Sequence, residues 1–461
     1  MNKLCEAKPI IQLAAAIGRE FNLELLRKIC PDDRVGFVLK ALRDSEMVLN
    51  TGEATCQFKH ALIQEAAYHT QTKANRMDMH RRIAQILQSD FTDIVTTRPE
   101  LLAQHLSAAR ETRQAVEFWL KAGLRAIRSS ANLEAIEHFS RGLKLLTTLP
   151  PSEEIDRLEF EFRINRGVGF ISVNGYGSVE TEQEYTRAHE LGMKLGEHEA
   201  MAYQYGKNTC VVSGTLLTWV LWLQGFPQQA ENIHQQTLAL ARHVHHPNSL
   251  GYALSVSSIF TRWLKQVEIT SQLAQEAITL SQAYRLSMGV ILGKASYGWV
   301  QIIQGNPQGI THILHSMEAV NSVFKGFELI FFALLCDSYV HLGQFGEALV
   351  VTEKALVIAH TKHDRFFESK FMRLKGEGLL GIAETNTPAA EACFSQALMF
   401  SRQQGAKSLE LRAAMSMAQL WQKQNRQADA RRVLQEVYQN FTEGFDTVNL
   451  QEAADLLRTL N

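Results

Sequence analysis

A paired-helix pattern recurs about every forty residues through the last three quarters of this 461-residue chain, and it constrains the fold more than any other feature. The clearest copy places Trp119, Ala122, Gly123 and Ala126 on one face of a first helix, and Ala135, Phe139 and Gly142 on one face of a second. A large residue is followed by small residues where two helices cross, then by Ala and an aromatic four apart on the return helix. The small position of each second helix falls at Ala135, Thr181, Ala230, Thr270, Ile310, Ala348, Ala390 and Ala430, in steps of 46, 49, 40, 40, 38, 42 and 40 residues. The match is good at Leu335, Tyr339, Gly343, Phe345, Ala348 and Ala355, and at Gly376, Ala390, Phe394 and Ala397. Around Thr270 and Ile310 only the amphipathic period and Gly298 hold. Gly225-Phe226-Pro227, Gly305-Asn306-Pro307 and Gly343-Gln344-Phe345 supply turns.

This is tetratricopeptide spacing. It predicts an all-α fold, a tetratricopeptide-like α-solenoid over 91–461, with eight hairpins of helices roughly 25 Å long stacked sideways into a curved array. Such an array offers a long surface for holding other molecules and no ready-made catalytic pocket. At the end, Leu450, Ala453, Ala454, Leu457 and Leu460 fall on one side of a helix, with Gln451, Glu452, Asp455 and Arg458 on the other. A capping helix over 447–460 is expected. The chain is too long for one ordinary compact domain, and a solenoid escapes that limit because each repeat packs on its neighbours. Lys and Arg number 47 against 48 Asp and Glu, so no basic field exists for nucleic acid or acidic lipid. The six cysteines form no Cys-x-x-Cys and read as scattered buried thiols in a reducing cytosol. No stretch reaches the length of a membrane span. The apolar run Ile10–Ile17 is interrupted by Gln12 and followed by Arg19-Glu20, against a signal peptide.

The first ninety residues read differently. Ile10–Ile17 and Leu23–Ile29 look helical, and Cys30-Pro31 stops the second. Asp32 or Asp33 can cap a third helix running to about Ser45, with Val35, Val38, Leu39 and Leu42 inside. Met47–Leu49 and Thr55–Phe58 flank Asn50-Thr51-Gly52-Glu53 as a β-hairpin. A helix starting near His60 carries Leu62, Ile63, Ala66 and Ala67, and a linking helix covers Met79–Leu87. This order predicts a small winged-helix domain over 1–90. Its third helix mixes charge signs, and the segment holds 13 Lys/Arg against 11 Asp/Glu, which disfavours DNA binding.

Ile10–Phe21 (IIQLAAAIGREF), Phe58–Tyr68 (FKHALIQEAAY) and the C-terminal stretches Ala406–Leu420 and Phe441–Leu450 carry a resemblance. The chain resembles the C-terminal region of bacterial proteins that join a class III nucleotidyl cyclase, a STAND-type signal-transduction ATPase and a tetratricopeptide tail. The resemblance covers nearly the whole chain. In that family a P-loop ATPase precedes the winged helix. This sequence has no Gly-x-x-x-x-Gly-Lys-Ser/Thr, no acidic Walker-B strand and no cyclase domain with its metal-binding carboxylates. Near Glu197–Tyr205 it passes from one repeat almost directly into a later one. The expectation is the C-terminal portion of such a protein, internally shortened. The resemblance also implies that His60, at the start of the last winged-helix helix, matches a histidine that reaches the β-phosphate of bound ADP. Ala61 stands where that motif is acidic. The alternative is that His60 caps or packs against the wing.

Other constellations point to structure. His243-Val244-His245-His246 lies in a turn before Pro247 without a Cys or acidic ligand beside it. His312 with His315, and His360 with His363, read as helix surface. Trp219, Trp222, Trp263 and Trp299 read as core fillers before they read as a binding stripe. Lys73, Arg76, His80, Arg81 and Arg82 form one basic segment, a solvated face or a dock for an acidic partner. No catalytic residue, metal ligand or cofactor site stands out apart from His60. The leading expectation is a cytoplasmic, non-catalytic scaffold that binds protein partners and regulates or recruits them. The alternative is the sensor arm of a split ATPase or cyclase whose catalytic domains lie on another polypeptide. A DNA-binding regulator is the third.

Overall fold

In the computed structural model, residues 2–31, 34–52, 54–195, 208–323, 328–362 and 366–460 are described. About 80% of the chain is helical. Among the described residues there are 24 α-helices and one three-stranded sheet, and no helix is long and apolar enough to cross a membrane. Packing divides the chain into Met1–Ile155 and Asp156–Asn461. The first unit therefore takes in the 1–90 segment together with the first of the eight hairpins.

In the first unit, helices Asn2–Ile17, Leu23–Ile29 and Val35–Asp44 precede strands Val48–Asn50 and Thr55–Phe58, and helices Ala61–His69 and Lys73–Asp90 follow. The expected capping residues Asp32 and Asp33 lie outside the described residues. A third strand, Glu20–Asn22, was not foreseen. It pairs antiparallel with Thr55–Phe58, which becomes the central strand. Three residues are too few to show alternation, and Asn22 serves a second purpose: its Oδ1 accepts from the Glu24 and Leu25 amides and starts the next helix. Phe21 and Phe58 meet at 5.5 Å between ring centres, and both are buried, as are Leu26, Val38 and Leu39. Leu62, expected on the helix after the wing, is 75% exposed. The helix is held by Gln64, which donates to the Ala15 carbonyl, so that Leu62 faces away from helix Asn2–Ile17.

The hairpin Thr112–Arg128 with Asn132–Leu146 follows the sequence register. A Cβ on Gly123 would fall 2.2 Å from the Phe139 ring, and Ala135 is fully buried. Ala135→Leu should therefore overpack the crossing and cost about 1–3 kcal/mol. Gly123→Ala should cost less, because losing a mid-helix glycine returns about 1 kcal/mol. An unchanged urea midpoint for Ala135→Leu means that the helices cross elsewhere.

Seven more hairpins follow, from Glu153–Asn174 with Val179–Leu195 to Lys407–Lys423 with Gln427–Tyr438. One turn geometry recurs. The third residue after the first helix donates back five positions: Ala131 to Ala126, Phe226 to Leu221, Gln266 to Thr261, Asn306 to Gln301, Gln344 to Tyr339 and Arg426 to Trp421. The residue between adopts positive φ, and it is glycine only at Gly225, Gly305 and Gly343. Ser130, Lys265 and Asn425 hold φ near 60° at the same place. This explains the weak match around Thr270, where the turn lacks its glycine and the crossing is a hydroxyl pair, Thr261 Oγ1 to Thr270 Oγ1 at 2.9 Å. The position assigned to Ile310 is off by one. Gly309 is the crossing residue; a Cβ on it would lie 2.1 Å from the Gly298 carbonyl oxygen. The internal junction expected near Glu197–Tyr205 lies outside the described residues.

The stack in the second unit curves far enough for its later repeats to touch its earlier ones. Ser408 Oγ donates to the Trp222 carbonyl. Gln229 gives its amide and side chain to Glu443 at 3.0 and 3.1 Å. Lys265 pairs with Glu452 at 2.6 Å. Gly177 lies so close to the Gln404 carbonyl that a Cβ would approach it to 2.6 Å. The first helices Thr209–Leu223, Pro247–Trp263 and Glu328–His341 are covered on nearly every side. Every residue from Ala253 to Trp263 and from Leu329 to Cys336 is buried. An ordinary repeat helix with one open face would expose a polar stripe. The second helices keep the amphipathic pattern; Gln427–Tyr438 buries only Ala430, Leu434 and Val437.

Candidate functional site

The closed stack encloses charge. Arg262 ends helix Pro247–Trp263, Asp337 lies on Glu328–His341, Lys370, Arg373 and Glu377 on Glu368–Ile382, and Arg412 on Lys407–Lys423. Asp337, Lys370, Arg373, Glu377 and Arg412 lie on successive first helices that pack side by side, and the closing contacts bring the Arg262 end of Pro247–Trp263 to them. Lys370 and Arg373 both pair with the Asp337 carboxylate, Arg373 at 3.3 Å, and Arg373 also reaches Glu377 at 2.5 Å. Ser416 donates to Glu377 at 2.7 Å. Arg412 Nη2 donates to the Trp263 carbonyl at 2.8 Å and to Asn449 Oδ1 at 3.2 Å, while Asn449 Nδ2 donates to the same carbonyl at 3.2 Å. A carbonyl at the C-terminus of one repeat helix thus receives a cation from the last repeat, where the helix dipole favours positive charge.

Burial would raise the Asp337 carboxyl, but Lys370 and then Arg373 outweigh it and hold it down at about 2. Burial pushes the Lys370 ammonium down to about 8 against the pull of Asp337. It pushes the Arg262 guanidinium down to about 10, with Asp337 opposing. Arg262 is only 6% exposed, and its Nε has no hydrogen-bond partner in the protein.

Beside this network is a cavity of about 410 Å³, walled by Trp263, Trp299, Val267 and Ile303 and by the polar groups of Arg262, Lys265, Asp337, His341 and Arg412. Four apolar walls with converging cations form a binding pocket by general criteria. The sequence reading missed it. The available signal was a charge set within an apolar inner stretch: Arg262 in SIFTRWL, Asp337 in ALLCDSYV, and Arg412 with Glu410 in LELRAAM.

The residues singled out from the sequence are placed as follows. His60 is exposed at the N-cap of helix Ala61–His69, and its side chain makes no capping bond. His246 caps helix Pro247–Trp263, accepting from the Ser249 amide at 3.3 Å, and His243 and His245 stand 6.2 Å apart. His312 packs near Tyr297, and His363 lies outside the described residues. Among the described residues, no group of His, Cys, Asp and Glu could hold a metal ion. Trp219, Trp222, Trp263 and Trp299 are all buried, with Trp222 stacked on Trp263 at 5.0 Å. In the basic segment, Arg81 pairs with Glu111 and Asp78 and Arg82 donates to the Ile29 carbonyl, while Lys73 and Arg82 stay exposed.

His80, counted in that segment, is buried against His105, Nδ1 to Nδ1 at 2.8 Å, with Tyr68 on its other nitrogen at 2.9 Å. Two imidazole nitrogens can share one proton but not hold two. Burial lowers His80 to about 4 and His105 to about 3. Both sit below the unfolded value, so the unfolded chain binds protons first. Stability from this pair should be flat above about pH 6.5 and fall as pH drops towards 4, by on the order of 3 kcal/mol for each imidazole. Amide exchange over helices Lys73–Asp90 and Pro99–Ala108 checks it; a pH-independent exchange free energy between pH 7 and 4.5 contradicts the shared-proton geometry.

No protein-family model matches the sequence. An uncharacterized protein of Rhizobium meliloti (strain 1021) is 25% identical over 204 residues, 42% of this chain and 19% of that protein, so the match spans about a fifth of the relative's length. Among solved structures, a Signal Transduction ATPase with Numerous Domains (STAND) protein with a tetratricopeptide repeat sensor from Pyrococcus horikoshii superposes with a TM-score of 0.49 at 13% identity. That alignment covers 99% of this chain and 65% of the other. A Rap protein complexed with Competence and Sporulation Factor gives 0.46 at 12% identity, over 75% of this chain and 96% of that one. Yeast Tom70 gives 0.38 at 11% identity, over 86% and 93%.

Proposed function

We propose that this chain is a non-catalytic interaction and regulatory module that binds protein partners on the outer helices of its repeats. The observation that supports it most is the repeated hairpin, turned six times by the same backbone bond, which generates a long row of amphipathic outer helices around a closed inner row. Stacks of this kind present extended surface and recognise helices or extended peptides through side-chain anchors. With the inner row covered, the outer helices and the turns between them are the accessible recognition surface. The test is crosslinking of the purified chain in its native extract, followed by mapping of the crosslinked residues. Reproducible crosslinks on the second helices support the reading. Turnover of ATP or GTP that follows the protein through repurification overturns it.

A second reading rests on the N-terminal segment. Three helices, a two-stranded hairpin and a closing helix support a winged-helix domain over 1–90, with the repeats and the 447–460 cap forming 91–461. His60, exposed at a helix N-terminus without a capping bond, is free to donate to a nucleotide phosphate brought by a P-loop ATPase or cyclase in trans. In that reading the chain is the sensor arm of a split, cytoplasmic signalling enzyme, and loss of ADP-dependent association on His60→Ala is its mark.

A further inference from the structure

We propose that the cavity beside Arg262 binds a monoanionic organic acid: a carboxylate carried on an aromatic or large apolar body. The acid can be a free small molecule or the last residue of a peptide. The site stands apart from any partner on the outer helices.

The polar end of the cavity carries unbalanced positive charge. Lys370 and Arg373 share Asp337, Arg373 also holds Glu377, and Lys265 holds Glu452. Arg412 meets only neutral oxygens, those of Trp263 and Asn449. Five cations thus face three carboxylates. Arg262 is the group left over. It is more than nine-tenths buried, lines the cavity, and has an Nε–H without a protein partner. Leaving a buried charged donor unmatched is costly, and of the buried side-chain groups without a protein partner among the described residues, Arg262 is the one that lines this cavity. A guanidinium is matched best by a planar carboxylate.

The other end decides the rest of the ligand. Trp263 and Trp299 present indole rings, with Val267 and Ile303 beside them. A volume of about 410 Å³ suits a ligand of small-molecule size. Inorganic phosphate would fill only the polar end and leave the indoles without a partner. A dianionic phosphate ester would also bring two charges against Asp337, which is ionised at neutral pH. One carboxylate with an aromatic body uses both ends.

The experiment is calorimetric titration of the full chain at pH 7 with N-acetylphenylalanine, its amide, phenyl phosphate, and a hexapeptide ending in phenylalanine with a free or an amidated C-terminus. The free acid should bind saturably, and the amide about tenfold more weakly or worse. Arg262→Gln should lose binding by a similar factor while keeping the wild-type urea midpoint or raising it, because it removes an unmatched buried charge. If that variant fails to fold, the acid-against-amide comparison on the wild-type chain still decides. Tighter binding of the free-carboxylate peptide than of the small acid assigns the site to a chain terminus; the reverse order assigns it to a metabolite-sized acid. No saturable binding of either acid below about 10 mM, equal binding of acid and amide, preference for phenyl phosphate, or undiminished binding by a folded Arg262→Gln overturns the proposal.

Discussion

Replacing Asp337 by alanine should destabilise the unit Asp156–Asn461 by about 3–5 kcal/mol, the cost of stripping the counter-charge from buried cations. Asp337 is the shared partner of Lys370 and Arg373, and it is the carboxylate that opposes the burial cost at Arg262. Its removal takes from Lys370, itself 6% exposed, the carboxylate it pairs with. The expected readout is a lower urea midpoint followed by the fluorescence of the buried tryptophans in this unit. Adding Lys370→Met to Asp337→Ala should recover part of the loss, since the pair is then replaced by apolar groups of similar size. If the double variant is no better than the single one, the loss comes from packing and the ion-pair account is wrong. The same carboxylate sets an acid limit. Its folded value of about 2 lies below the unfolded one, so its contribution is complete above about pH 4 and disappears as pH falls towards 2.

Deleting residues 445–461 should weaken two places far apart in sequence. Helix Val448–Thr459 buries Leu450 and Ala453, and Leu460 follows it into the core shared with Leu420, Leu434 and Val437. Losing those apolar contacts costs roughly 4–6 kcal/mol, at about 1.5–3 kcal/mol for each large side chain. The deletion also removes Asn449 from the Trp263 carbonyl and Glu452 from Lys265. Hydrogen exchange should therefore rise in Lys407–Lys423 and Gln427–Tyr438, and also at the end of Pro247–Trp263. Unchanged protection over 406–440 makes the segment a free tail. A rise confined to 406–440 means that the closing contacts contribute no stability.

Repeats are expected to couple mainly to their neighbours, and the contacts of Asn449 and Glu452 with Trp263 and Lys265 add a link across the stack. In a linear solenoid a terminal helix touches only the last repeat. Here one helix both caps the last repeat and joins it to helices nearly two hundred residues earlier.

Features carried by short-range pattern were legible in the residues alone. Gly123 with Phe139 and Gly376 with Phe394 pack as the small-and-aromatic spacing required, because a 3.6-residue period and one small residue per crossing are local facts. The capping helix was legible for the same reason: one apolar stripe, one polar one. Where backbone chemistry replaced side-chain chemistry the pattern blurred. Lys265 adopts the turn conformation usually left to glycine, and Gly298 meets Gly309 backbone to backbone, so Ile310 took its place in the reading. Strand Glu20–Asn22 exists only through its partner Thr55–Phe58. Closure of the ring, and with it the cavity at Arg262, was decided by tertiary structure alone. Closure is the sum of small rotations from one hairpin to the next, each set by how side chains interlock. No window of forty residues contains that sum, and the contacts that record it join Trp263 to Arg412 and Asn449 across 149 and 186 residues.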